Sequence, residues 1–358
     1  MARIAVLGSG LVGSFVATEM ARKNTVSLFD PDKLALERVA QRAPTVELHA
    51  ERFSSVKQLE GCDMALNCLP GSTGHTALMQ VIDAGVDCID MSFTEQDPRV
   101  LDSAARKAGS TVIPDAGIAP GFSNLLAAEL AGLTPQQLEI FVGGLPLRRD
   151  LPWEYAAPFS PADVVAEYER PARLKRGGHA VAEPALSGCH PFQLASGLVP
   201  NLPDGVALEA FLTDGLRSLL DLPIPEMAEY TLRYPGHATR FVELRDSGAL
   251  AGEARNATLA LLFEAWRLQP SESEFTHLQV LATLGDGTQQ GWVVHDNGAE
   301  GWSSMARTTG LTACAFAEQL LAGHLGGPGV LMPEACLESL PRIRGHIQAR
   351  GISVERVA

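Results

Sequence analysis

Short apolar runs alternate with amphipathic stretches through about the first 120 residues. Residues 4–7 form one such run, Phe15, Val16 and Met20 follow at helical spacing, and residues 26–30 form the next run. Continuous apolar runs of this length are typical of parallel strands that are covered on both faces. The pattern therefore predicts a strand, a helix and a second strand at the start of the chain.

The alternation continues beyond this first unit. It predicts further strands at 63–68, 86–90 and 111–113, and helices at 76–84 and 100–108. Strands and helices that alternate in this way are typical of a doubly wound parallel sheet.

A glycine-rich segment joins the first strand to the first helix. It reads Gly8-Ser9-Gly10-Leu11-Val12-Gly13 and has the spacing G-x-G-x-x-G. In this context Gly8 permits a tight turn, Gly10 lets the backbone approach a pyrophosphate, and Gly13 lets the helix pack closely on the strand. The pyrophosphate would lie at the helix N-terminus, beside Leu11 and Val12. We therefore predict a dinucleotide-binding domain.

Asp30 ends the second predicted strand, about 20 residues beyond the motif, where an acid binds the adenosine ribose. A carboxylate at this position repels a 2′-phosphate, so we expect NAD rather than NADP. Ligands of such sheets bind outside the carboxyl ends of the strands. We therefore expect the loops after the third and fourth predicted strands to contact the cofactor through Cys68, Leu69, Pro70 and Ser92.

The pattern changes from Leu138 onward. Residues 138–146 predict a strand, and residues 275–284 and 290–295 predict a hairpin around a Gly-Asp-Gly turn. Residues 206–211 and 257–266 are further strand candidates, whereas residues 187–204 are rich in Gly and Pro without a clear period. This part therefore predicts an α+β domain with an antiparallel or mixed sheet.

Residues 306–324 are again helical in pattern, with Thr309, Ala313 and Phe316 on one face. We predict an α/β protein with a Rossmann-type doubly wound parallel sheet and an inserted α+β substrate domain. The dinucleotide-binding domain would comprise residues 1–121 and be completed by 305–358. The substrate and dimerisation domain would comprise residues 122–304.

Charge and cysteine content narrow the class of protein. The chain has 28 Lys and Arg against 42 Asp and Glu, a net charge of −14, which disfavours a nucleic-acid partner. The six cysteines contain no C-x-x-C pair, so no metal site is expected. No apolar run approaches the roughly 20 residues of a membrane span, and the start shows no basic leader. We therefore expect a cytoplasmic protein without a membrane partner.

The glycine motif and the segment Asp115-Ala116-Gly117-Ile118-Ala119-Pro120-Gly121 resemble the saccharopine dehydrogenase superfamily. Within it, the chain is most similar to the lysine 6-dehydrogenase branch. This similarity lies in four further segments, at residues 167–173 (EYERPAR), 213–217 (TDGLR), 231–237 (TLRYPGH) and 304–310 (SMARTTG).

The resemblance implies NAD-linked oxidation of the carbon that bears an amine in a small amino-acid substrate. For a lysine 6-dehydrogenase, the ε-carbon gives up a hydride, and hydrolysis of the imine releases ammonia and allysine, which cyclises to piperideine-6-carboxylate. The resemblance also implies a homodimer supported by the sheet of the substrate domain. One difference is that saccharopine reductases carry a tyrosine after the strand that here ends in Asp90, where this chain has Met91-Ser92-Phe93.

Candidate catalytic residues follow from the needs of amine oxidation, which requires positioned groups for proton transfer. Asp115 lies just beyond a predicted strand and is the first candidate, although it could also cap the following turn. Asp90 is similarly placed and could simply end its strand. We expect Asp115 to be catalytic and Asp90 to contact the substrate.

The second domain supplies the other candidates. Arg233 is suited to bind a substrate carboxylate, and His237 could transfer protons near neutral pH. Either could instead be structural, Arg233 in an ion pair and His237 at a turn. Arg173 lies in a matching segment and is a weaker candidate for substrate binding.

Three functions stay open at this point. The first is an NAD-dependent dehydrogenase for lysine or a near relative such as ornithine. The second is a saccharopine- or carboxynorspermidine-type dehydrogenase that acts on a secondary amine, and the third is a non-catalytic NAD-binding sensor or scaffold. A cationic substrate is drawn to an acidic surface, which favours lysine slightly.

Overall fold

The computed structural model describes residues 1–195, 197–199, 207–269 and 272–357. The chain divides into two units. The first comprises Met1–Ala128 and Ala306–Gly351, and the second comprises Glu129–Met305 and the chain from Ile352 onward.

The first unit is built on a parallel sheet. Its strands, within the described residues, are β1 (Arg3–Leu7), β2 (Thr25–Phe29), β3 (Glu47–His49), β4 (Met64–Asn67), β5 (Asp87–Asp90), β6 (Thr111–Ile113) and β15 (Gly329–Val330). They lie in the order β15-β6-β5-β4-β1-β2-β3, and the part from β3 to β6 has the strand order of dinucleotide-binding folds. The predicted Rossmann-type doubly wound sheet is therefore confirmed.

Seven described helices lie wholly or mostly in this unit. They are α1 (Leu11–Met20), α2 (Lys33–Arg42), α3 (Gly71–Asp83), α4 (Asp102–Ala108), α5 (Phe122–Ala131), α9 (Ser304–Leu321) and α10 (Leu340–Gln348). The helix α9 packs on α1 so closely that a Cβ on Gly310 would lie 2.5 Å from Cδ1 of Phe15. Both residues of this contact lie in the first unit.

The second unit holds a mixed sheet. Its described strands are β7 (Gln137–Pro146), β8 (Ala172–Arg176), β9 (His179–Glu183), β10 (His190–Gln193), β11 (Ala207–Leu212), β12 (Glu226–Arg233), β13 (Glu274–Thr283), β14 (Gln289–Asp296) and β16 (Ser353–Val357). The main order is β10-β11-β12-β7-β13-β14-β16, with β8 paired to β12 and β9. The pair of β12 and β7 is parallel and the others are antiparallel.

Three helices of the second unit are α6 (Pro161–Glu169), α7 (His237–Asp246) and α8 (Ala254–Ala265). The prediction of a strand at 257–266 is wrong, because these residues form most of α8. This segment is rich in Ala and Leu, which favour helices, and its apolar positions do not alternate. Leu262 is buried whereas Leu261 is 74% exposed, as expected for a helix with one face on the core.

Two further differences concern segments with weak patterns. The strand β10 lies within residues 187–204, where the sequence shows no clear period. Positions 196 and 200–204 of that segment are outside the described residues. Position 206 of the strand expected at 206–211 is also outside them. Residues 305–358 are predicted to complete the first domain, but Ser353–Val357 form the strand β16, which pairs with β14 in the second sheet.

Among the helices described, none combines the length and the apolar character that crossing a membrane requires.

Candidate functional site

The glycine segment after β1 forms a tight turn into α1. Gly8 has a φ of 96°, and a Cβ on Gly13 would lie 2.0 Å from the carbonyl oxygen of Gly8. A Cβ on Gly10, in contrast, would meet no atom within 4 Å. The loop is therefore tightly packed between Gly8 and Gly13 and open at Gly10. At this open side, the N–H groups of the first turn of α1 have no intrahelical acceptor. These residues fit the pyrophosphate of a dinucleotide.

Asp30 lies directly after β2 and reaches the glycine loop. Its carboxylate accepts hydrogen bonds from the backbone N–H of Ser9 at 2.7 Å and of Asp32 at 2.7 Å. Both oxygens are therefore held in place, and the half-buried carboxylate keeps a defined orientation beside the loop. This position is the one at which an acid contacts a ribose in dinucleotide-binding folds.

The loop after β4 lies against the glycine segment. A Cβ on Gly8 would lie 3.1 Å from the carbonyl oxygen of Cys68, so the two loops are in contact. Cys68 and Leu69 are partly exposed and Pro70 is exposed, which leaves this loop accessible to a ligand.

Ser92 and Asp90 are hydrogen-bonded to each other at the end of β5. The Asp90 carboxylate accepts from the Ser92 N–H at 2.9 Å and from the Ser92 hydroxyl at 2.6 Å. A Cβ on Gly74 would lie 2.1 Å from the Cβ of Ser92, so α3 presses directly on this residue. Both side chains are buried, and their mutual hydrogen bonds order the end of the strand.

Asp115 follows β6 in an uncommon backbone conformation. Its φ is 53°, in the left-handed region, and its side chain is buried. The next residue, Ala116, donates its N–H to the carbonyl oxygen of Asp90 at 3.0 Å, which brings the loops after β5 and β6 together. A Cβ on Gly121 would lie 2.1 Å from the carbonyl oxygen of Gly117. The Asp115–Gly121 turn is thus fixed by close packing of its own backbone.

Arg233 is the centre of a buried polar cluster in the second unit. It ends β12, and its guanidinium donates to the hydroxyls of Tyr168 at 2.8 Å and Tyr155 at 3.3 Å and to the carbonyl oxygen of Leu232 at 2.8 Å. It also stacks 4.5 Å from the ring centre of Tyr155. Burial raises the pKa of Tyr155 to about 12, so its hydroxyl stays protonated.

His237 extends this cluster at the start of α7. Its Nε2 lies 3.2 Å from the Tyr168 hydroxyl and its Nδ1 lies 3.4 Å from the carbonyl oxygen of Trp153. Burial, together with the charge of Arg233, lowers the pKa of His237 to about 3. The histidine is therefore neutral near pH 7. This differs from the expectation that rested on titration near neutrality.

Arg173 is held in an ion pair. Its Nε and Nη2 donate to the two carboxylate oxygens of Asp214 at 2.7 and 2.8 Å, and its backbone N–H donates to the same side chain at 3.2 Å. Asp214 is buried, while the Arg173 side chain is 43% exposed. This contact ties β8 to the loop after β11.

A second hydrogen-bonded chain lies beside Arg233 and was missed by the sequence analysis. The Thr213 hydroxyl lies 2.7 Å from Oε2 of Glu229 and 2.9 Å from the Thr231 hydroxyl, which lies 2.6 Å from Oε1 of Glu167. Burial, with the nearby charge of Glu167, raises the pKa of Glu229 to about 8. The available signal was that Glu229, Thr231 and Arg233 alternate and so share one face of a strand.

Comparison with protein families covers both units. Residues 4–113 match the saccharopine dehydrogenase NADP binding domain, and residues 117–352 match the saccharopine dehydrogenase C-terminal domain.

Curated relatives include alpha-aminoadipic semialdehyde synthases. The one from Arabidopsis thaliana is 25% identical over 215 residues, which cover 56% of this chain and 20% of the relative. The mitochondrial one from Rattus norvegicus is 25% identical over 194 residues, which cover 50% of this chain and 21% of the relative. The matched part thus spans about a fifth of these relatives.

Two solved structures have the same fold. Saccharopine dehydrogenase (L-Glu forming) from Saccharomyces cerevisiae has a TM-score of 0.77 and 18% identity, with all of both chains covered. Homospermidine synthase from Legionella pneumophila, in complex with NAD, has a TM-score of 0.73 and 13% identity, with 99% of this chain and 91% of that chain covered. At such identities the likeness concerns the fold alone.

Proposed function

Since the chain belongs to the saccharopine dehydrogenase family, we propose that it is an NAD-dependent dehydrogenase for the ε-amine of L-lysine. The family membership supports an NAD(P)-dependent dehydrogenase activity. In the proposed reaction the ε-carbon is oxidised, the resulting imine is hydrolysed, and ammonia and allysine are released. Allysine then cyclises to piperideine-6-carboxylate.

One observation carries this proposal. The segments that resemble lysine 6-dehydrogenases at 167–173, 213–217 and 231–237 are far apart along the chain, yet their polar side chains are joined by hydrogen bonds. Tyr168 contacts Arg233 and His237, Arg173 contacts Asp214, and Glu167 contacts Thr231. Buried polar clusters of this size are costly unless every member is satisfied, which supports a functional reason for them.

The first unit would hold the dinucleotide. Gly8, Gly10 and Gly13, with Leu11 and Val12 in the first turn of α1, would hold the pyrophosphate. The Asp30 carboxylate would contact the ribose and exclude a 2′-phosphate, so we propose NAD rather than NADP. The loop of Cys68, Leu69 and Pro70 and the neighbouring Ser92 would lie beside it. The nicotinamide, when bound, supplies the hydride acceptor.

The protein residues would bind the substrate and move protons. We assign Asp115 as the group that accepts a proton from the substrate amine, and Asp90 as its neighbour on the substrate side. Arg233 and Arg173 would provide positive charge for the α-carboxylate. His237, being neutral, would act as a hydrogen-bond acceptor that orients Tyr168 rather than as a proton carrier.

A saccharopine-type reaction on a secondary amine is the second candidate. The two matching family models favour it, because both are named for saccharopine dehydrogenase. The residues after β5, Met91-Ser92-Phe93, disfavour it, since they lack the tyrosine that saccharopine reductases carry there.

The two functions are separated by measuring NADH formation at alkaline pH with lysine, ornithine, saccharopine and simple diamines, with ammonia assayed in parallel. Turnover of lysine with one ammonia per NADH supports the lysine reaction. Turnover of saccharopine without ammonia would replace it with the second candidate. Reduction of NADP at the same rate as NAD would contradict the proposed cofactor preference.

We also propose that the chain forms a homodimer, as the family resemblance implies. Light scattering on the purified protein tests this, with twice the mass of 38.1 kDa expected.

A further inference from the structure

The contacts between Glu229, Thr213, Thr231 and Glu167 require more protons than the two hydroxyls supply. Three oxygen pairs lie at 2.7, 2.9 and 2.6 Å, and each such contact needs one hydrogen between its oxygens. Thr213 and Thr231 bring one hydrogen each. If both carboxyl groups were ionised, one pair of buried oxygens would face each other without a hydrogen, which is unfavourable.

We propose that Glu229 and Glu167 share a single proton through the two threonine hydroxyls, and that Glu167 is thereby kept as the carboxylate that binds the cationic amine of the substrate. In this arrangement Glu229 donates to Thr213, Thr213 donates to Thr231, and Thr231 donates to Glu167. This inference rests on the proposed function, because it identifies the group that would recognise the ammonium.

The surroundings place the proton at the Glu229 end. Glu229 is fully enclosed, and a Cβ on Gly215 would lie 2.4 Å from its carboxyl carbon, whereas Glu167 on α6 is only half-buried. The charge of Arg233 interacts favourably with that of Glu167. The charges of Glu167 and Asp214 disfavour an ionised Glu229, whereas the hydrogen bonds from Thr213 and from the Gly215 N–H favour it. The burial of Glu229 outweighs these hydrogen bonds and raises its pKa to about 8, so we place the shared proton on Glu229.

The arrangement is suited to a primary ammonium. Glu167 is the more accessible of the two glutamates in this hydrogen-bonded series, and its Oε1 is oriented by the Thr231 hydroxyl. Because Glu229 is neutral, Glu167 supplies the single negative charge of this hydrogen-bonded group, and the positive charge of Arg233 lies near it. The same charge would favour the cationic iminium that forms during oxidation. Glu229 acts through the two threonines and is therefore a positioning residue.

The first test is the variant Glu167→Gln, which keeps the shape of the side chain and removes its charge. We expect the KM for lysine to rise at least tenfold. The affinity for 6-hydroxynorleucine, which has a neutral hydroxyl in place of the ε-amine, should stay within twofold of the wild type. General damage to the fold would weaken both ligands together, so equal losses would overturn the proposal.

Glu169→Gln is the matched control. Glu169 lies on the same helix but is exposed and forms its ion pair with Arg255. This variant should keep the wild-type KM for lysine, because exposed ion pairs contribute little. An effect as large as that of Glu167→Gln would show that the charge of the helix, and not the Glu167 site, is responsible, and would overturn the proposal.

The second test does not depend on any substrate. Infrared difference spectra between wild type and Glu229→Gln at about pH 7 should contain the carbonyl stretch of one protonated carboxylic acid that is present only in the wild type. Absence of this band would overturn the shared proton. Turnover by the wild-type protein tests the proposed function separately. If the protein oxidises no amine but shows the band, the shared proton is supported, whereas the proposed substrate and the role of Glu167 are excluded.

Discussion

Asp115 and His237 show how backbone and burial determine what a single side chain can do. Asp115 has a left-handed φ of 53°, a conformation that Asp and Asn tolerate better than other non-glycine residues. His237 has a pKa of about 3 because it is buried beside Arg233. The sequence predicts that Asp115 lies at a strand end. The burial of His237 comes in part from the rings of Trp153 and Tyr155, which contact it and are distant along the chain.

Replacement of Asp115 by Asn tests its proposed role as proton acceptor. Asn adopts the same backbone conformation, so the fold should be retained. We expect kcat to fall by at least about 100-fold, which is the usual contribution of a positioned acid or base, while the Kd for NAD stays unchanged. Steady-state kinetics and calorimetric titration of NAD provide both values. Near-native turnover would exclude Asp115 as the acceptor.

The charge of Asp30 is tested by Asp30→Asn. The amide retains one hydrogen-bond acceptor for the Ser9 N–H and removes the negative charge that repels a 2′-phosphate. We expect the ratio of kcat/KM for NADP to that for NAD to rise about tenfold or more, equivalent to about 1.4 kcal/mol. Asp97→Asn removes an exposed acid that caps a turn elsewhere and should leave the ratio unchanged.

At the scale of elements, the first unit is far more predictable than the second. The strands β1, β4 and β5 are buried on both faces and appear in the sequence as continuous apolar runs. The segment that forms α8 is predicted as a strand, because a short apolar run alone does not distinguish a helix from a strand. The alternation along β12 indicates that Glu229 and Thr231 share a face, but the contact of Thr231 with Glu167 cannot be predicted from the sequence, because it depends on the position of α6.

The glycine turn between β1 and α1 allows binding and folding to be separated. A Cβ on Gly10 meets no atom within 4 Å, whereas a Cβ on Gly13 would clash with Gly8. We therefore expect Gly10→Ala to keep the wild-type melting temperature and to weaken NAD binding at least tenfold. Gly13→Ala should lower the melting temperature by several degrees. Thermal melts with and without NAD measure both, and a fall in melting temperature for Gly10→Ala would contradict this separation.

At the scale of the whole molecule, buried groups with shifted pKa values make the free energy of unfolding depend on pH. The pKa of His237 and of His277 is lowered from 6.5 to about 3 by burial, so their contribution is present above pH 6.5 and is lost as the pH falls toward 3. The pKa of Glu229 is raised from 4.5 to about 8 and that of Glu274 to about 7, mainly by burial. Their contribution is present below pH 4.5 and is lost as the pH rises through those values.

These opposite contributions overlap between pH 4.5 and 6.5 and can be separated by substitution. In that range the free energy of unfolding of His277→Gln, relative to wild type, should change by about 1.4 kcal/mol per pH unit, because one proton fewer is taken up on unfolding. The variant should lose stability relative to wild type as the pH rises. Urea unfolding at several pH values measures this difference, and a difference independent of pH would exclude the titration of His277.

The order of the two units along the chain has a consequence for synthesis. The first unit needs Ala306–Gly351 in addition to its N-terminal part, and the second sheet gains β16 only from Ser353–Val357. Multidomain proteins commonly fold one domain after another as they leave the ribosome. Here neither unit can reach its final form until nearly all of the described chain has emerged, so the second sheet must wait with the edge of β14 unpaired. Between the synthesis of β14 and that of β16, the edge of β14 carries unpaired backbone groups, which are a template for pairing with another chain.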